Sequence, residues 1–156
     1  MNSKLSASET SIVIVVSEFN KPIIENLLQG ALDAFIHYGG KESGMRIHRV
    51  PGAFEIPGTI LQIIKFHNPH AIVALGAVIR GETPHFDYIA GESAKGIAAI
   101  SRSSNIPIIN GILTTDNARQ AEDRSQVGGR NKGWDAMEAA LQTIAVYQEI
   151  SSASKC

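Results

Sequence analysis

The segment Gly76-Ala77-Val78-Ile79-Arg80-Gly81-Glu82-Thr83 comes within one residue of the phosphate-binding pattern G-x-x-x-x-G-K-[ST]. Glu82 stands where the lysine should be. That lysine neutralises the outer phosphates of a nucleoside triphosphate, so a carboxylate in its place opposes such a ligand. A simpler anion site survives the loss. Backbone N–H groups around Gly81–Thr83, the Thr83 hydroxyl and a helix N-terminus suffice to hold one phosphate group. The plainer reading, an ordinary strand–loop–helix junction capped by Thr83, stays open on this loop alone. His85 falls at the start of the same helix. The positive end of a helix favours the neutral imidazole. A neutral imidazole near pH 7 accepts a proton and then returns it.

Other candidates lie in other loops. Glu55 opens a second helix, where a carboxylate serves either as a dipole-stabilised cap or as a ligand group. Phe19 follows an apolar run and has two readings, as core or as a face for stacking on a flat heterocycle. Arg124 and Lys132 flank Gly128–Gly129, and are either phosphate ligands or a solvated loop. Of the two, arginine has the fork geometry that fits phosphate. His37, His48, His67 and His70 read as surface residues. No HxH or HExxH spacing occurs, and His85-Phe86-Asp87 is a weak substitute, so no metal is expected.

These residues need elements to position them. Ile12–Val16 is a short β-branched run, the mark of a strand buried on both faces. Pro22 opens a helix with Ile23, Leu27, Ala31 and Phe35 four residues apart, closed by Gly39–Gly40. Met45–Val50 is a second strand. Glu55–Phe66 is a second helix, with Pro57 tolerable in its first turn and Asn68–Pro69 as its stop. Ala71–Ala77 is a third strand, and Thr83–Pro84 caps a helix running to Ser101. Ile106–Leu113 is a fourth strand, weakened at its start by Pro107. Asp116 caps a short helix to Arg124, and Trp134–Ile150 is the last helix.

The pattern is βα repeated four times, with the last helix broken in two. It predicts an α/β fold: a three-layer α/β/α sandwich around a four-stranded parallel sheet, of the flavodoxin-like kind. In such sheets ligands bind beyond the carboxyl ends of the strands. That rule selects the loops at Ser17–Asn20, Val50–Glu55, Arg80–His85 and Asn110–Asp116, which are the loops already singled out.

The chain has 156 residues, which predicts a single domain over 1–156. Residues 1–10 read as a flexible polar arm and 151–156 as a tail. Fourteen basic and fifteen acidic residues leave a formal charge of −1, which argues against nucleic-acid binding through bulk positive charge. The longest apolar runs fall far short of the ~20 residues of a spanning helix, so no membrane role is expected. Cys156 is the only cysteine. It makes no intrachain disulfide, and a reducing cytoplasm is the expected setting.

Taken singly, none of these features names a reaction. Together they are specific. Phe19-Asn20, VPGAFEIP at 50–57, Gly76 to Asp87 (GAVIRGETPHFD), GILTTD at 111–116 and Asn131-Lys132-Gly133 resemble the 6,7-dimethyl-8-ribityllumazine synthase family. The resemblance covers roughly residues 12–148, in order and with natural spacing. It implies a transferase of riboflavin biosynthesis. Such an enzyme condenses 5-amino-6-(D-ribitylamino)uracil with 3,4-dihydroxy-2-butanone 4-phosphate, without metal or organic cofactor.

By matching positions, the resemblance implies that Phe19 stacks on the pyrimidine. Ala53, Phe54 and Glu55 would hold the ribityl chain and ring, and Ala77, Val78 and Ile79 would line the pyrimidine pocket. Glu82 and Thr83 would bind the butanone phosphate, and His85 would transfer protons. Arg124 would bind the phosphate, with Lys132 near it. Asn110 departs from the pattern, since many members carry an aromatic residue there to meet the pyrimidine of a neighbouring subunit. The resemblance also implies a pentamer with sites shared between adjacent subunits. In some members pentamers pair into decamers, and in others they close a sixty-subunit icosahedral shell. The short Gly128–Gly129 connection leans toward the shell, with riboflavin synthase as a further possible partner. Two other readings stand beside this one. A non-catalytic flavin- or lumazine-binding cage protein would have lost His85 or Arg124. A nucleotide-dependent enzyme would need G-x-G-x-x-G or a lysine-bearing phosphate loop.

Overall fold

A computed structural model describes residues 5–153. Four strands, β1 (Ile12–Ser17), β2 (Met45–Val50), β3 (Ala71–Ile79) and β4 (Ile108–Thr115), form one sheet. Their order is β2-β1-β3-β4 and every pairing is parallel. Five helices cover it: α1 (Lys21–His37), α2 (Ile56–Phe66), α3 (His85–Ser103), α4 (Ala118–Asp123) and α5 (Lys132–Ala153).

Alternate residues of the two central strands, β1 and β3, feed two separate cores, which is why those runs are apolar throughout. Ile12, Ile14, Val16, Val73 and Leu75 join Leu27 and Phe35 of α1 and Met137 and Leu141 of α5. Val13, Val15, Ile72 and Ala74 join Ile56 and Ile60 of α2 and Ile97 and Ile100 of α3. The three-layer α/β/α sandwich is therefore the observed architecture, and no helix among the described residues is long and apolar enough to cross a membrane.

Several boundaries differ from expectation, each for a local reason. β4 begins at Ile108, after Pro107, which has no N–H to give a ladder. The Pro107 carbonyl instead accepts from the Ile72 N–H at 3.0 Å. α3 starts at His85 with Pro84 at its N-cap and no side-chain cap bond, so Thr83 does not cap it. Nor does Glu55 cap α2 through its carboxylate; it ends a 3₁₀ turn over Ala53–Glu55. α4 is capped by Asn117, whose side chain accepts from the Gln120 N–H, and not by Asp116. α5 begins two residues early because Asn131 caps it, its Oδ1 accepting from the Trp134 N–H at 3.0 Å.

The termini are less loose than expected. Ala7 is fully buried in the core against α1, and its N–H donates to the Tyr38 carbonyl at 2.7 Å. Residues 151–153 continue α5. The rest of the arm, residues 1–4, and of the tail, residues 154–156 with Cys156, lie outside the described residues.

α1 and α5 pack at backbone distance. A Cβ at Gly133 would collide with the Leu27 carbonyl, and a Cβ at Gly30 with the Asn131 side chain. Asn131 is 3% exposed and bridges the two helices, its Nδ2 donating to the Asn26 carbonyl at 3.0 Å.

Candidate active site

A cleft of about 550 Å³ opens at the carboxyl ends of β1, β2 and β3. Each side is set by the local chain. After β1 the backbone turns sharply through Asn20 at φ 66°, a left-handed conformation that asparagine tolerates better than most residues. The Asn20 Nδ2 donates to the Ala77 carbonyl at 3.1 Å, which ties the β1 end to β3. That turn leaves Phe19 on the rim, 71% exposed. The reading of Phe19 as core is thereby excluded. The 3₁₀ turn after β2 brings Ala53, Phe54 and Glu55 to the same cleft, with Phe54 59% exposed. Two large aromatic side chains held out in water at the mouth of one cleft are the surface a flat ring requires.

The floor is the end of β3. Ala77, Val78 and Ile79 line it. Val78 and Ile79 remain paired with Thr114 and Thr115 of β4, so the floor is rigid sheet rather than loop. The third wall is the start of α3, which contributes His85, Phe86 and Ile89, with Gly81 and Thr83 from the preceding loop. Nothing lies within 4 Å of the position a Gly81 Cβ would take, so its backbone is open to a ligand. His85 is exposed at the first turn of the helix, where N–H groups lack i−4 partners, although the Asp87 N–H donates to the Pro84 carbonyl at 3.1 Å.

Nine of the residues singled out in the sequence therefore meet in one place: Phe19, Ala53, Phe54, Glu55, Ala77, Val78, Ile79, Thr83 and His85. Glu82 sits between two lining residues without lining the cleft itself. Asn110, Arg124 and Lys132 are elsewhere. Arg124 and Lys132 are side by side, because the Lys132 N–H donates to the Arg124 carbonyl at 2.9 Å. Between them the chain folds back through an antiparallel bridge from Ser125 to Asn131, with Gly128 at φ 78°. Asn110 is exposed on β4, an outer strand, and its Oδ1 accepts from the Ile112 N–H at 3.1 Å. Phe86 and Ile89 were not singled out as site residues. The helical period that follows His85 is a signal for Ile89, one turn on; it is none for Phe86, the next residue.

A cleft of this kind has the parts for binding a flat polar ring against an aromatic side chain and for proton transfer at His85. It fits no nucleotide fingerprint. Among the described residues no group of three or more His, Cys, Asp or Glu is placed to hold a metal ion.

Comparison with known proteins shows the family. The family model described as 6,7-dimethyl-8-ribityllumazine synthase matches residues 9–148. A 6,7-dimethyl-8-ribityllumazine synthase of Campylobacter jejuni (strain RM1221) is 43% identical over 143 residues, covering 92% of this chain and 93% of its own length. One from Chlorobium limicola is 41% identical over 145 residues, covering 93% of this chain and 94% of its own. On these matches the chain belongs to the 6,7-dimethyl-8-ribityllumazine synthase family.

Proposed function

We propose that this chain condenses 5-amino-6-(D-ribitylamino)uracil with 3,4-dihydroxy-2-butanone 4-phosphate to 6,7-dimethyl-8-ribityllumazine, in a site completed by a second copy of itself. The observation that carries the reading is the aromatic-rimmed cleft holding His85 at a helix N-terminus, in a chain of this family. The pyrimidine amine adds to the ketone and water leaves, forming an imine. Proton loss from the adjacent carbon expels phosphate with the electron pair of the C–O bond. The enol this leaves takes up a proton on its terminal carbon and becomes a ketone; the remaining nitrogen closes the ring on that ketone, and a second water leaves. Every step is addition, elimination or proton transfer, so the reaction calls for no metal or organic cofactor.

Each residue then has one task. Phe19 stacks on the pyrimidine, and Ala77, Val78 and Ile79 form its floor. Ala53, Phe54 and Glu55 hold the ring and ribityl chain through backbone and carboxylate. Glu82 and Thr83 bind the phosphate through backbone N–H and hydroxyl groups. His85 carries the proton between substrate atoms. Arg124, with Lys132 beside it, stabilises charge on the departing phosphate of a neighbour's site, where electrostatic stabilisation has most effect. Asn110 meets a neighbour's pyrimidine with an amide in place of an aromatic face.

Exposed apolar side chains support the shared-site reading. Phe54, Phe66 and Tyr88 are 59%, 69% and 68% exposed, and of nineteen residues in α3 only Ser93, Ile97 and Ile100 are buried. Such a surface calls for a covering partner. The assembly is a homo-oligomer built of pentamers, leaning to the icosahedral shell, in a reducing cytoplasm, with riboflavin synthase as a candidate guest. Lumazine absorbance on mixing purified protein with both substrates tests the activity, and a rate no higher than the uncatalysed condensation sinks it. Light scattering tests the assembly, and a monomer contradicts the shared site.

A further inference from the structure

We propose that Arg80 is a positioning residue that fixes the first turn of α3, and with it His85, against the β4–α4 connection; this rests on the reading of His85 as the proton carrier. Arg80 is the first residue after β3, and its N–H donates to the Thr115 carbonyl at 2.9 Å, so its backbone is anchored to the sheet. From there the guanidinium reaches three partners. Its Nε donates to Asp116 Oδ1 at 3.1 Å, and its Nη1 lies 3.6 Å from Asp87 Oδ1. Its Cζ sits 4.5 Å from the centre of the Phe86 ring. Phe86 and Asp87 are the two residues that follow His85.

Beyond one backbone bond, from the Asp87 N–H to the Pro84 carbonyl at 3.1 Å, and the packing of Ile89 one turn on, few contacts hold that turn. α3 has no side-chain cap. The linking residues Gly81, Glu82, Thr83 and Pro84 are all exposed. Among the described residues, Arg80 makes the only ion pair or cation–ring contact to the segment 81–88. The planar fork is what allows one side chain to bind two carboxylates and cover a ring, which lysine does not reproduce. Asp116 is itself braced, its N–H donating to Gln120 Oε1 at 2.8 Å. The guanidinium is 49% exposed and its partners 65% and 70%. Pairs so exposed contribute little to stability. Their effect is on orientation, to which proton transfer is sensitive.

The test is a set of variants assayed for kcat and for KM of each substrate: Arg80→Gln, Arg80→Lys, His85→Ala and the double variant His85→Ala/Arg80→Gln. Arg80→Gln is expected to lower kcat about five- to tenfold, with KM for the phosphate substrate changed less than about twofold and assembly intact. Arg80→Lys recovers less than about half of the lost rate. In the His85→Ala background the Arg80 change has no further effect, because the residue it positions is gone. An unchanged kcat in Arg80→Gln, while His85→Ala is slow, overturns the role of Arg80 alone. The same fold-loss in both backgrounds, or a raised KM for the phosphate substrate, shows Arg80 acting on substrate directly and overturns it too. Wild-type turnover in His85→Ala removes the reading of His85, and the role of Arg80 with it.

Discussion

Gly30 and Asn131 form a pair whose coupling is calculable from the structure. Asn131 makes two buried hydrogen bonds, one from the Trp134 N–H at the start of α5 and one to the Asn26 carbonyl of α1, each 3.0 Å. Asn131→Ala removes the cap, about 1 kcal/mol, and the bond between helices, about 1 kcal/mol more. With a small cavity added, the loss is ~2–3 kcal/mol. Gly30→Ala gains ~1 kcal/mol of helix propensity. Its Cβ, however, is driven into Oδ1, Cγ and Nδ2 of Asn131, an overpacking cost of ~1–3 kcal/mol or more.

All three of those atoms vanish in Asn131→Ala. The second methyl then has room, fills part of the void and keeps its helix gain. Gly30→Ala/Asn131→Ala is therefore expected to be more stable than Asn131→Ala by about 1 kcal/mol. Simple addition predicts the double variant to be no better than the worse single one. Urea unfolding at one fixed protomer concentration measures this, since stability of an oligomer depends on concentration. Each kcal/mol also moves Tm by roughly 2–4 °C. Additivity within about 0.5 kcal/mol, or a double variant weaker than Asn131→Ala, refutes the contact between Gly30 and Asn131.

Three other outcomes follow from the site and the surface. His85→Ala slows lumazine formation by about a hundredfold at saturating substrate while light scattering stays that of wild type; unaltered turnover removes its role. Arg124→Ala raises the apparent KM for the butanone phosphate roughly tenfold or more, as loss of a charge-assisted bond does, and leaves KM for the pyrimidine nearly unchanged. Arg49 donates to Glu25 at 2.6 Å, and this bond holds the Glu25 carboxyl below its ordinary value. A carboxyl lowered in the folded state adds stability above its unfolded value and loses it as pH falls through the folded one. Arg49→Ala should therefore cost a few tenths of a kcal/mol near neutrality, with the difference from wild type fading in acid below the carboxylate range; a difference that grows in acid contradicts the sign.

The sequence by itself determined the layers and most of the site. Unbroken β-branched runs such as Ile12–Val16 admit only a strand buried on both faces, and helices between them leave only parallel crossovers. Once the sheet is parallel, the chemistry-bearing loops gather at its carboxyl end, and Phe19, Glu55 and His85 meet there. Long-range geometry decided the rest. Whether Phe19 is core or rim depends on the left-handed turn at Asn20 and its bond to Ala77, fifty-seven residues away. Thr83 carries the usual capping hydroxyl, yet α3 begins two residues later, with Pro84 at its N-cap and no side-chain cap bond. Asn131 looks like a loop residue in sequence. Only the approach of α1 to α5 makes it a buried bridge. Local pattern records which face an element buries, while the partner across the gap exists only after the chain has closed.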